Sequence, residues 1–126
     1  MTRPELPADV RRFILTSIPS VPFLEAVLLL RAEPATAWGV AELARRLYVP
    51  ERTATELLQL LTSSGVAAPV GETGTARYAP APELRELLDR LAQSYSTDLV
   101  AITDLIHSRI DRRAQRFADA FRFRKE

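Results

Sequence analysis

The sequence predicts a mainly α protein with one small β-hairpin. Three observations carry this. Apolar residues recur at steps of three and four through most of the chain. Only four glycines interrupt it, and the good helix formers Leu, Ala, Arg and Glu are abundant. The exception is Gly71-Glu72-Thr73-Gly74, a turn between two short stretches that read as paired strands.

Taken in order, Pro7 suits the first turn of a helix, where its missing N–H costs nothing. Val10, Phe13, Ile14 and Ile18 then predict a helix over Ala8–Ser17. Ile18-Pro19 breaks it, because the residue before proline is pushed out of the α region. Ser20 is placed to cap a second helix over 21–33. That helix carries Phe23, Leu24, Val27, Leu28, Leu29 and Leu30 on several sides, so it should be central. Pro34 ends it. Ala37-Trp38-Gly39 is short and extended and could lie beside the later hairpin.

Val40, Leu43, Ala44 and Leu47 form a clean stripe over Val40–Leu47. Tyr48-Val49-Pro50 makes a tight turn, and Pro50 opens a helix over 51–64. In it Ala54, Leu57, Leu58 and Leu61 face one way, with Leu60 at the edge. Gly65 is the C-terminal stop. Strands are expected over 66–70 and 75–79, with Pro69 suited to an edge and Tyr78 the inward anchor. Pro80-Ala81-Pro82 punctuates. From Glu83, the residues Leu84, Leu88, Leu91, Tyr95, Leu99, Ile102, Ile106 and Ile110 keep helical phase. The polar patch from Ser94 to Asp98 could kink or restart the helix, with Thr97-Asp98 as a cap. The unbroken apolar phase predicts one long helix. The chain thus divides into 1–80 and a C-terminal element, 81–126.

Composition narrows the function. There is no cysteine, which excludes disulfides, thiolate metal sites and thiol redox sensing. No apolar run approaches the roughly 20 residues that span a bilayer, and the N-terminus lacks a basic-then-apolar signal. A cytoplasmic location with no membrane association is expected. There is no Gly-rich phosphate loop, no Ser/Cys–His nucleophile arrangement and no metal-ligand spacing, so neither enzymatic activity nor a cofactor is expected. Asp104, His107 and Asp111 share a helix face, which reads as a surface histidine with acidic neighbours rather than a metal site. Net charge is +1, and the basic excess sits at the C-terminus. There Arg109, Arg112, Arg113, Arg116, Arg122, Arg124 and Lys125 face only Asp111, Asp119 and Glu126.

Residues 40–64 form a helix-turn-helix, followed by the hairpin. The pattern of Glu42-Leu43-Ala44 and Leu47, then Leu57-Leu58 and Leu60-Leu61, then Ser64-Gly65-Val66 and Tyr78 resembles the winged helix-turn-helix superfamily, as in MarR-like and ArsR-like bacterial regulators. The resemblance covers roughly residues 21–80. It implies a winged fold with an extra N-terminal helix and a long C-terminal helix. It also implies a DNA-binding transcriptional regulator whose helix 51–64 enters the major groove.

On that reading Arg52, Thr55, Glu56, Gln59 and Ser63 face the DNA. Arg52 is suited to guanine, Gln59 to adenine and Glu56 to cytosine. Arg45 and Arg46 could lie on phosphates, and Arg77 on the wing could reach the minor groove. The charges of the helix face, Glu51, Arg52 and Glu56, sum to −1, which is poor for approaching phosphates and leaves a solvated or protein-binding face as the other reading. The stripe Leu84, Leu88, Leu91, Tyr95, Leu99, Ile102 and Ile106 predicts a homodimer; folding back over the N-terminal helix is the other solution. The tail over 109–125 mixes arginines with Phe117, Phe121 and Phe123, and reads as a docked amphipathic helix or a basic binding segment. The expected partners are double-stranded DNA and a second copy. The alternative is an adaptor that binds a protein through the C-terminal helix and tail. No convergent polar group marks a ligand pocket near Trp38 or Tyr95.

Overall fold

Local signals set most of the helix boundaries among the described residues. The computed structural model describes residues 6–108. Helix α1 spans Ala8–Ser17 and α2 spans Val21–Ala32. Between them Ile18 is extended and fully buried, and the chain direction turns by 119°. Ser20 caps α2, its Oγ accepting from the Phe23 N–H at 3.3 Å, a contact worth about 1 kcal/mol. Phe23, Leu24, Ala26, Val27 and Leu30 are all buried, so α2 is the central helix its composition predicts.

Helix α3 covers Val40–Leu47 and α4 covers Glu51–Ser63. They pack through Leu43 and Ala44 on one side and Ala54, Leu57, Leu58 and Leu61 on the other. The end of α4 is a glycine stop. Gly65, at φ 84°, lets its own N–H reach the Thr62 carbonyl at 3.3 Å and lets the Val66 N–H reach that of Leu61 at 3.0 Å.

Strands β1 (Ala67–Val70) and β2 (Thr75–Tyr78) pair antiparallel, Ala67 opposite Tyr78 and Val70 opposite Thr75. Gly71 and Gly74 take positive φ in the connecting loop, which no other residue type adopts as easily. Trp38 adds one antiparallel bridge on the far side of β2, exchanging hydrogen bonds of 2.7 and 3.0 Å with Ala76. The sheet edge carrying Pro69 is thus β1, and β2 lies in the middle. The protein is mainly helical with a small two-stranded sheet, as the sequence predicts.

The C-terminal segment departs from expectation. Helix α5, Pro82–Thr97, stops at Asp98, and α6, Leu99–Ser108, begins anew. One long helix is therefore the wrong reading. The cause lies in the polar patch. Ser96 and Thr97 turn their hydroxyls back onto the Gln93 carbonyl at 2.8 and 3.2 Å. Asp98 leaves the helical region at φ −147° and caps α6, its Oδ1 accepting from the Ala101 N–H at 3.2 Å. Such side chains offer the backbone an alternative to helix continuation.

The break allows the segment to fold back. Leu88 and Leu91 of α5 and Ile102 and Ile106 of α6 are all 0% exposed and join one core with Val10, Ile14 and α2. Two ion pairs bind α5 to the N-terminal helices: Arg90 to Asp9, and Arg31 to Asp89 at 2.9 Å. Four of the seven residues expected at a dimer seam are therefore used inside the protomer. Leu84 and Tyr95 are half-buried against the same core, and Leu99 is 47% exposed. No single described helix is long and apolar enough to cross a membrane. The Phe/Arg tail, with Asp111, lies outside the described residues.

Candidate nucleic-acid interface

The buried stripe of α4 decides what the helix presents outward. With Ala54, Leu57, Leu58 and Leu61 turned inward, a period of 3.6 residues puts Arg52, Thr55, Glu56, Gln59 and Ser63 on the opposite side. All five are exposed, so the structure assembles these residues on one accessible face. Thr55 donates its hydroxyl to the Glu51 carbonyl at 2.9 Å, and Ser63 to that of Leu60 at 3.2 Å. Both oxygens keep acceptor capacity. Gln59 is free to present both amide groups. Arg52 approaches Glu56 at 3.9 Å, and its side chain is 92% exposed. A pair that exposed is worth little, and Arg52 can leave it for a better partner.

The other arginines differ in how firmly they are held. Arg45 is 3.2 Å from Glu42, one turn back on α3, and remains 73% exposed. Arg46 is more firmly tied. It donates to Glu33 at 2.7 Å, and its guanidinium lies 5.4 Å above the ring of Trp38, within cation–π range. Arg46 thus clamps α3 to the end of α2 and shields the buried indole. Arg46, expected with Arg45 to lie on phosphates, is held in this way by partners within the chain, while its side chain keeps 44% exposure. Arg77 projects from the outer face of β2, opposite Ala68, and makes no ion pair among the described residues.

The net result is a surface of nearly balanced charge. Of Arg45, Arg46, Arg52 and Arg77, three have a carboxylate within reach in the same chain. The hydrogen-bonding repertoire to read base edges is present, and the field that would draw in a polyanion is weak.

Two further features surround the site. Tyr78 is 7% exposed and its hydroxyl has no partner. Burial, helped by the carboxylate of Asp89, holds that phenol above its ordinary value, and Arg31 and Arg85 offset only part of this. Arg85 sits 5.7 Å above its ring. The Nε1 of Trp38 is likewise buried and unpartnered. Tyr48, between α3 and α4, is 95% exposed. In the sequence Tyr48 is a turn residue with no evident role. The available signal was a large aromatic residue where a glycine would ordinarily stop the helix.

Asp104 and His107 are both exposed on α6, and among the described residues no group of three His, Cys, Asp or Glu side chains could hold a metal ion. No family model, curated protein or solved structure matches this chain.

Proposed function

We propose that this chain is a transcriptional regulator of winged helix-turn-helix type that binds duplex DNA through α4. The observation that carries this reading is the exposed face Arg52, Thr55, Glu56, Gln59 and Ser63. It is a complete set of base-edge donors and acceptors on a helix whose other side is locked into the core. The hairpin after α4, braced by Trp38, supports it as the wing. Homodimerisation belongs to the proposal, because two copies on a two-fold site multiply a modest single-helix contact. Its seam is built elsewhere than on Leu88, Leu91, Ile102 and Ile106. Leu99 and Val100, 47% and 54% exposed, are the apolar side chains α6 leaves outside.

The test is a genome-fragment binding selection with purified protein at two salt concentrations. Enrichment of one motif supports the reading. Arg52→Ala then lowers affinity by about 1–3 kcal/mol and relaxes preference at one base pair, if its contact is bidentate. Absence of any duplex binding at low salt rejects the reading.

A second reading has its own observation. The in-chain carboxylates beside Arg45, Arg46 and Arg52 suit a surface that meets a protein rather than a polyanion. In that case the chain is an adaptor, and capture of a specific partner is lost on removing residues 116–126 while no DNA is bound.

A further inference from the structure

Tyr48 is a residue whose placement the fold does not explain. It closes α3 in the left-handed region, at φ 57° and ψ 45°. Among the described residues no other non-glycine has positive φ. That conformation is disfavoured for any residue with a Cβ, and glycine or asparagine is the usual occupant. At 95% exposure the ring is not compensated by burial. Nor does the turn need it. The Tyr48 N–H donates to the Ala44 carbonyl, and the Val49 N–H reaches the same oxygen at 3.1 Å. Both bonds are backbone only and would form with glycine in place. The side chain makes no hydrogen bond or ring contact among the described residues. Strain held at an exposed position with no structural return is characteristic of contact sites.

Its position in the chain defines what it can reach. Arg45 lies in the last turn of α3, and Arg52 in the first turn of α4. When a recognition helix enters a groove, its first residues lie over base edges. The turn that leads into the helix then meets the groove wall, which is sugar and phosphate, and Tyr48 lies in that turn, three residues before Glu51. We propose that Tyr48 is a direct contact to the DNA backbone, its phenol donating a hydrogen bond to a phosphate oxygen at the rim of the groove that α4 occupies; this rests on the DNA-binding reading above. The phenol suits this surface. It is a neutral donor, so Glu42 and Glu56, which pair with the flanking arginines, do not cancel it. Tyr48 fixes how α4 sits in the groove, and the arginines supply attraction.

The experiment measures binding of the 126-residue chain to a pool of random-sequence duplexes by fluorescence anisotropy over a salt series. Tyr48→Phe removes only the hydroxyl. It is expected to weaken binding about tenfold. The salt slope should stay at the wild-type value, because no cation is lost. Tyr48→Gly should weaken binding at least as much while raising the Tm by a few degrees. A purely structural residue does not give opposite signs of that kind. Wild-type affinity in Tyr48→Phe overturns the proposal and leaves the DNA-binding reading standing. Failure of the wild-type chain to bind any duplex at low salt overturns both.

Discussion

Truncating Ile102 tests whether the C-terminal apolar stripe belongs to the core of one protomer. Ile102 lies in α6 and is 0% exposed, in the cluster that includes Val10, Ile14 and Leu91. Ile102→Ala removes three carbons and leaves a cavity that neighbouring helices can close only in part. Such changes cost about 2–5 kcal/mol. For 126 residues total stability is on the order of 6–19 kcal/mol, so the loss is a large share. With a urea m-value of about 2 kcal/mol/M, the unfolding midpoint should drop by about 1–2.5 M at unchanged m. Asp104→Ala, at an exposed position of the same helix, serves as the control and should shift stability by less than about 0.5 kcal/mol. A loss below about 1 kcal/mol for Ile102→Ala would refute the reasoning. So would a wild-type midpoint that rises with protein concentration and no longer does so in Ile102→Ala, since that is the behaviour of a residue at a dimer seam.

Two further outcomes follow from polar groups in the fold. Tyr78→Phe deletes a buried hydroxyl that has no partner and should leave stability unchanged or raise it by up to about 2 kcal/mol. A thermal melt showing clear destabilisation would mean the phenol is bonded. Desolvation raises the pKa of the Asp9 carboxyl, but the hydrogen bond and charge of Arg90 and the Val10 N–H outweigh this and hold it below its ordinary value. A lowered folded value means that Asp9 contributes stability that is fully present above the unfolded value and lost as pH falls through the folded one. The stability difference between wild type and Asp9→Asn should therefore be flat from roughly pH 7 to 5 and shrink below about pH 4. Urea titrations across that range check it, and a difference that grows on acidification would contradict the pairing.

Much of the fold is legible in the residues because its signals are local. The Ser20 cap, the proline after Ile18, the stripe of α3 and the Gly65 stop each act within one helical turn. Each appears where expected, within a residue or so at the helix ends. The outward face of α4 was equally readable, because helical geometry turns a buried stripe into an exposed one on the far side. The break at Asp98 was harder to read. Hydrophobic phase argues for continuity there, and local side-chain hydrogen bonding argues against it. Phase survived because α5 and α6 both face the same core, so the apolar positions persist across a bend.

The partners of Arg46 were not legible. Arg45 and Arg46 look identical in sequence, yet one sits beside Glu42 on its own helix and the other spans to Glu33 and the ring of Trp38. Side chains brought together from different elements depend on how the helices cross, which no local pattern records.

The sequence by itself determined the order of elements, the inward and outward faces of α3 and α4, and the hairpin with its two glycines. These follow from periodicity, capping and the sterics of individual residues. Only the tertiary structure decided that α6 folds back to bury Ile102 and Ile106 within one protomer. It alone showed that Arg46 pairs with Glu33 over the ring of Trp38 and that Tyr48 stands exposed on a left-handed backbone in the turn before α4. Those outcomes depend on which surfaces meet across long separations in the chain, and on the competition between burial and solvation at each meeting point.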